Sequence, residues 1–182
     1  MFLPIGVEKK TCTMKEVISI HIGQAGCQLG SSMWELFNIE HGIGDDGLPL
    51  PTSPGSKGTF YEESSGGCFV PRSLFIDFDP IVVDRIRTGK QGKIFHPENM
   101  ISGKEDAANI YCRGRYTLGK DVIDMTLDRI RKMANTCDSL QGIMIYNAIG
   151  GGTGSGFGSL LTSKLSEGYK TIPKVCTLIY MC

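Results

Sequence analysis

The stretch IGGGTGSGF, residues 149–157, carries five glycines in nine positions. Glycine loses more backbone freedom on folding than any other residue, so a run this dense is costly unless the backbone itself must come close to something. The flanks set its context. GIMIYNAI precedes it, with Ile143, Ile145 and Ile149 bounded by Gly142, and reads as a buried strand. GFGSLLTSKLSEGY follows, with Phe157, Leu160, Leu161 and Leu165 on one helical face. A flexible linker is the bland alternative, but linkers are not flanked so closely by a buried strand and an apolar helix face. The unit is therefore strand, glycine loop, helix. The first N–H groups of a helix lack internal partners and carry the positive end of its dipole. With the hydroxyls of Thr153 and Ser155 beside them, they make an anion site, most often for phosphate.

Two common phosphate loops are excluded by the residues themselves. G-x-x-x-x-G-K-[ST] needs a lysine, and none lies between Lys132 and Lys164. G-x-G-x-x-G fails in every register of the run, and no acid stands at the distance that a dinucleotide ribose requires.

A chain of 182 residues is long enough for one sizeable domain with its own core. Nineteen basic side chains balance nineteen acidic ones, which leaves no electrostatic case for a nucleic-acid or membrane-surface protein. Seven cysteines without a C-x-x-C pair read as reduced thiols rather than a disulfide frame. His21, His41 and His96 are far apart, with no cysteine at ligand spacing, so a zinc-type site is not expected. No stretch has the length of a membrane span, and no basic residue precedes the short apolar MFLPIGV, so no secretory signal is expected.

Along the chain, VISIHIG reads as a strand with Val17, Ile20 and Ile22 apolar. QAGCQLGSSMWELFNIEHGI then reads as a helix with Leu29, Met33, Trp34 and Phe37 at helical spacing and Gly42 as its stop. Residues 42–58, rich in Gly, Pro, Ser and Asp, are expected as a long and mobile surface loop. A strand over 74–78 ends in two acids, Asp77 and Asp79, before IVVDRIRTG begins a helix; HPENMISGKEDAANIYCRG is expected as a loop with helical pieces. DVIDMTLDRIRKMANTC is an amphipathic helix with Val122, Ile123, Leu127, Ile130 and Met133 on one side, acidic at its start and basic at its end. KVCTLIYMC is a last strand. Strands alternating with helices predict an α/β fold, a mainly parallel sheet with helices on both faces. Ligands bind such sheets at the carboxyl ends of the strands. The segments 23–26, Asp77 with Asp79, 104–109 and 150–156 all fall there, and one phosphate-lined crevice would unite them. Small residues at Ala25 and Gly26 would let phosphates approach, Gln24 would offer an amide, and Asp79 would suit Mg²⁺, a hard cation that prefers oxygen. Each residue alone has an ordinary reading: Gln24 starts a helix, Asp79-Pro80 is a helix cap, and Trp34 is core.

GGGTGSGF, HIGQAGCQLG and GKEDAANIYCRG in this order resemble the tubulin family, and the last of the three resembles its alpha type, since the beta type carries a glycine-rich loop there without the acid. The resemblance runs from residue 14 to about 180 and is interrupted mainly in the 42–58 loop, which is shorter here. It implies a Rossmann-like GTP-binding domain over residues 14–182, incomplete at its C-terminal side, preceded by an extension of residues 1–13, since Met14-Lys15-Glu16-Val17 resembles the family's opening tetrapeptide. Carried over by position, Gln24, Ala25 and Gln28 line the phosphates and base, Asp79 serves Mg²⁺ and phosphate, and Asp106, Ala107 and Asn109 contact the triphosphate. Gly150, Gly151, Gly152, Thr153 and Gly154 cradle phosphate oxygens. Two positions depart. The family's metal-side Glu is Asp79, one methylene shorter, which implies contact through water. Ala148 replaces the serine before the loop, the loss of one hydroxyl donor worth on the order of 1 kcal/mol.

The family further implies beta-tubulin as heterodimer partner, the microtubule lattice, and a location in the cytoplasm and cytoskeleton. GTP of the alpha type is bound rather than turned over, so no catalytic residue is assigned. The family continues for more than another such length, with the second domain, lateral-contact loop and catalytic acid beyond the segment matched here. A nonfunctional truncated fragment is one alternative. A nucleotide-dependent oxidoreductase with a divergent phosphate loop is another, though it lacks a ribose-binding acid and a proton relay.

Overall fold

A computed structural model describes residues 15–51, 53 and 57–180. The extension of residues 1–13, its junction at Met14 and part of the 42–58 loop lie outside the described residues.

Five strands form one parallel sheet: β1 (Glu16–Ile22), β4 (Ser73–Asp77), β5 (Met100–Ser102), β6 (Leu140–Ala148) and β7 (Lys174–Ile179), in the order β5-β4-β1-β6-β7. A separate antiparallel hairpin joins β2 (Tyr61–Glu63) to β3 (Phe69–Pro71). The chain builds outward from β1 through β4 to β5, then returns to the other side of β1 for β6 and β7. The connections therefore diverge between β1 and β6, and such a reversal opens a crevice at the carboxyl ends of those two strands.

Alternation along β1 sorts its side chains onto two faces. Ile18, Ile20 and Ile22 pack with Leu74, Ile76, Ile143 and Ile145 under α3 (Leu118–Asn135) and α4 (Gly158–Gly168). On the other face Phe75 and Met100 pack with Cys27 and Trp34 of α1 (Gly23–His41), Val82, Val83 and Ile86 of α2 (Pro80–Thr88), and Tyr61 of the hairpin. Helices on both faces of a parallel sheet are as the alternation of elements predicts. The α3 face of Val122, Ile123, Ile130 and Met133 is buried as its period requires, with Leu127 packed at its margin.

Three expectations need correction. In α1 the buried stripe is Gly23, Gly26, Cys27, Gly30, Trp34 and Asn38, whereas Leu29 is 38% exposed and Met33 and Phe37 are half-buried. The helix presents its glycines to the sheet: a Cβ at Gly26 would collide with the Tyr146 carbonyl, and one at Gly30 would meet the His21 ring at 2.5 Å. Second, the segment beginning HPENM holds a strand, β5, which three residues are too few to announce by period. Third, the start of the 42–58 segment is tied down: Ile43 bridges Pro49, and Gly44 N–H donates to the Leu48 carbonyl at 2.9 Å. Gly42 does stop α1, in the left-handed conformation at φ 60°.

Candidate functional site

Each strand of the crevice delivers one loop. After β1, Gly23 turns with φ +73°, and a Cβ there would stand 3.2 Å from the backbone nitrogen of Gly154, so the first turn of α1 rests on the glycine loop. After β6, a π-helical turn over Gly152–Phe157 leads into α4. A second π-helical turn, Arg113–Thr117, leads into α3 and packs back to back against the first. Its Gly114 has no room for a Cβ against the Gly152 carbonyl.

That contact separates the glycines of the run into two kinds. Cβ atoms at Gly152 and Gly154 would lie 2.7 Å from the carbonyls of Ala107 and Ala148, and one at Gly156 would overlap that of Tyr111. These three let the chain approach itself. A Cβ on Gly150 would meet nothing within 4 Å, and one on Gly151, with φ +84°, only the Asn109 side chain, at 3.9 Å. Those two leave an open backbone surface against which another group can sit.

The 104–109 loop closes one side. Gly152 N–H donates to the Ala108 carbonyl at 2.7 Å, and Ala108 holds φ 48°, the one positive value outside glycine among the described residues. A non-glycine residue there carries backbone strain. Ala108 was not a residue the sequence singled out, and only its φ distinguishes it. Ala107 is buried, while Asp106 and Asn109 are exposed. Exposed Glu105 is tethered to Arg113 at 2.8 Å.

Beneath the loop stands Asp77, at the end of β4. Burial pushes its carboxyl up to about 6, against hydrogen bonds from the backbone of Asp79 and Phe78 and from the Thr153 side chain. Thr153 is itself 5% exposed. Ser155 Oγ donates to the Gly151 carbonyl. The Ser155 hydroxyl, expected to face an anion, thus already has a protein partner. Asp79 caps α2, accepting from Ile81 N–H at 2.9 Å with Pro80 in the first turn, as its Asp-Pro pairing suggested.

The remaining expected residues divide. Gln24 is exposed and Ala25 half-buried in the first turn of α1, beside the glycine loop, and Ala148 is buried at its root. Gln28 lies one turn further along α1, in a small cleft with Ser31, Val82 and Arg85 between α1 and α2. Among the described residues no group of three His, Cys, Asp or Glu side chains could hold a metal ion by itself. No helix among them is long and apolar enough to cross a membrane.

This chain is similar to curated proteins from distant organisms. It is 53% identical to the tubulin alpha chain of Colletotrichum orbiculare over 170 residues, 91% of this chain and 37% of that one. Identity is 53% over 172 residues to the tubulin alpha chain of Trypanosoma cruzi, and 54% over 171 residues to the tubulin alpha-2 chain of Caenorhabditis elegans, in each case 92% of this chain and 38% of the relative. The chain thus spans well under half the length of these relatives. The Tubulin/FtsZ family, GTPase domain, matches residues 16–182, which takes in all five strands and the glycine loop, and the chain belongs to that family.

Proposed function

We propose that this chain is an alpha-tubulin-like, GTP-binding structural constituent of microtubules, with beta-tubulin as its heterodimer partner and the cytoplasmic cytoskeleton as its place of work. One observation carries the nucleotide reading: the open Gly150 and Gly151 backbone at the crevice between β1 and β6, at the mouth of a loop whose other glycines are packed shut. A phosphate chain fits that surface because backbone N–H groups and a helix start favour anions and no side chain stands in the way. The similarity to tubulin alpha chains supports GTP as the nucleotide and beta-tubulin as the partner.

In this reading Gly150, Gly151, Gly152, Thr153 and Gly154 cradle the phosphates. Gln24, Ala25 and Gln28 line the α1 side, with Gln28 toward the base; Asp106, Ala107 and Asn109 close the opposite side. Ala148 supports the loop root without a hydroxyl. Mg²⁺ supplies charge neutralisation for the phosphates. The acidic end of β4 fits it as a supplement to phosphate oxygens and not as a cage: Asp79 keeps one carboxylate oxygen beyond its capping bond, and Asp77 stands behind it. In this reading these residues bind and orient the nucleotide. The oxidoreductase alternative lacks support from the glycine loop, whose spacing is not that of the dinucleotide pattern.

Calorimetric titration of the full chain with GTP, ATP and NAD, each with and without Mg²⁺, tests the reading. GTP with Mg²⁺ should bind tightest. Tighter binding of NAD than of GTP would overturn it.

A further inference from the structure

Asn147 is the last residue but one of β6, in register with Ile22 of β1 and Leu178 of β7. Its side chain is buried. A buried amide is costly unless it is hydrogen-bonded. Here Nδ2 donates to the Gly154 carbonyl at 2.9 Å and to the Ala148 carbonyl at 3.3 Å. Those carbonyls stand at the root and at the turn of the glycine loop, so one side chain staples the turn to the root. The room for it comes from α4: a Cβ on Gly158 would lie 3.0 Å from Nδ2. A chain of glycines has no side chains to hold its own conformation. In a planar trans peptide, fixing the Gly154 carbonyl toward Asn147 sends the Ser155 N–H the opposite way.

We propose that Asn147 is the positioning residue of the anion-binding loop, holding it in its binding conformation before any ligand arrives. The inference rests on the nucleotide reading above. Asn147 touches no ligand in it and acts through the two carbonyls alone.

The test uses the full chain, N-methylanthraniloyl-GTP with Mg²⁺ as probe, and hydrogen exchange of residues 154–157. Asn147→Leu, similar in size but without a donor, should remain folded, weaken binding at least 10-fold, and speed exchange in the loop at least 10-fold. Asn147→Asp should bind poorly at pH 8 and recover toward the parent protein at pH 5.5, where the introduced carboxyl takes up a proton and donates again. The ratio of variant to parent affinity at each pH is the readout, which cancels titration elsewhere. A purely structural role would leave that ratio flat. Binding by Asn147→Leu within 2-fold of the parent, or a flat ratio for Asn147→Asp, would overturn the proposal. Should Asn147→Leu fail to fold, Gly158→Ala decides: it suits a helix but crowds the amide, so at least 3-fold weaker binding is expected, and unchanged affinity would overturn the proposal. If the parent itself does not bind the probe, the nucleotide reading falls, and loop exchange alone judges Asn147, with unchanged rates in Asn147→Leu refuting its role.

Discussion

His21 and Asp77 occupy neighbouring strands and are perturbed in opposite senses. The His21 ring lies between those of Phe75 and Tyr146, at 4.8 and 4.9 Å, and accepts from Trp34 Nε1 at 3.2 Å. Burial lowers its pKa from 6.5 to about 3. Below pH 6.5 the unfolded chain therefore takes up a proton that the folded one refuses, and stability falls by up to about 1.4 kcal/mol per pH unit. Asp77, raised from 3.8 to about 6, does the reverse: below pH 6 the folded chain binds the proton first, and stability rises. Between pH 6 and 4 the two offset. In magnesium- and nucleotide-free buffer, urea unfolding should show a weaker pH dependence over this window in the parent than in Asp77→Asn, which leaves the loss from His21 uncompensated. A smaller slope for Asp77→Asn than for the parent would refute the pairing. Thr153 bears on the same carboxyl. Thr153→Val removes a hydroxyl from the buried floor of the loop and should weaken nucleotide binding about 10-fold, as loss of a charge-assisted hydrogen bond would. Cys27→Ser, in the opposite core, should leave binding unchanged in the same titration. The sequence singled out Thr153 as a phosphate donor; its contact with Asp77 was not readable, because the two are 76 positions apart and meet only through the order of strands.

The two kinds of glycine make contrasting predictions for the loop. Gly114→Ala should cost about 3 kcal/mol, since a methyl there meets a carbonyl held on both sides and cannot be relieved by a side-chain movement. Gly150→Ala meets nothing and should leave the thermal midpoint within about 2 °C. Its methyl would stand on the open surface, and binding of GTP should fall several-fold. Calorimetric melting with parallel titration checks both; equal stability effects would mean that the loop is uniformly slack. Ala108→Gly should be neutral or stabilising by about 1 kcal/mol, because φ 48° suits glycine. Strand, glycine loop and helix were all legible in IGGGTGSGF and its flanks, as were the α3 stripe, the Gly42 stop and the Asp79-Pro80 cap. Each of these is a local property of period or backbone preference. The stripe of α1 was not, because three of its six buried residues are glycines, which carry no hydrophobic signal, and a fourth is Asn38.

Over the whole molecule, Arg72 ties the amino-terminal edge of the sheet together. It pairs with buried Glu16 of β1 at 3.1 Å and with Glu62 of the hairpin at 3.4 Å, and donates to Thr136 after α3 at 3.3 Å. Glu16 also accepts from Ser139 N–H at 2.8 Å. Arg72→Ala would strand the Glu16 carboxylate and should cost about 3–5 kcal/mol in urea unfolding. Joining it to Glu16→Leu should restore much of the loss, and a double variant as unstable as the single one would show that shape, not charge, is what matters there.

What the sequence by itself determined is local: which segments alternate as strands, which turn as helices, and that a glycine loop between the two would favour an anion. These follow from side-chain period and backbone freedom within a dozen residues. Which glycines face the chain and which face open space, which carbonyls Asn147 reaches, and why Asp77 holds its proton to about pH 6 were decided only by tertiary structure. Those properties depend on what lies across the crevice, and β1, β4 and β6 become neighbours only when the sheet assembles in its reversed order.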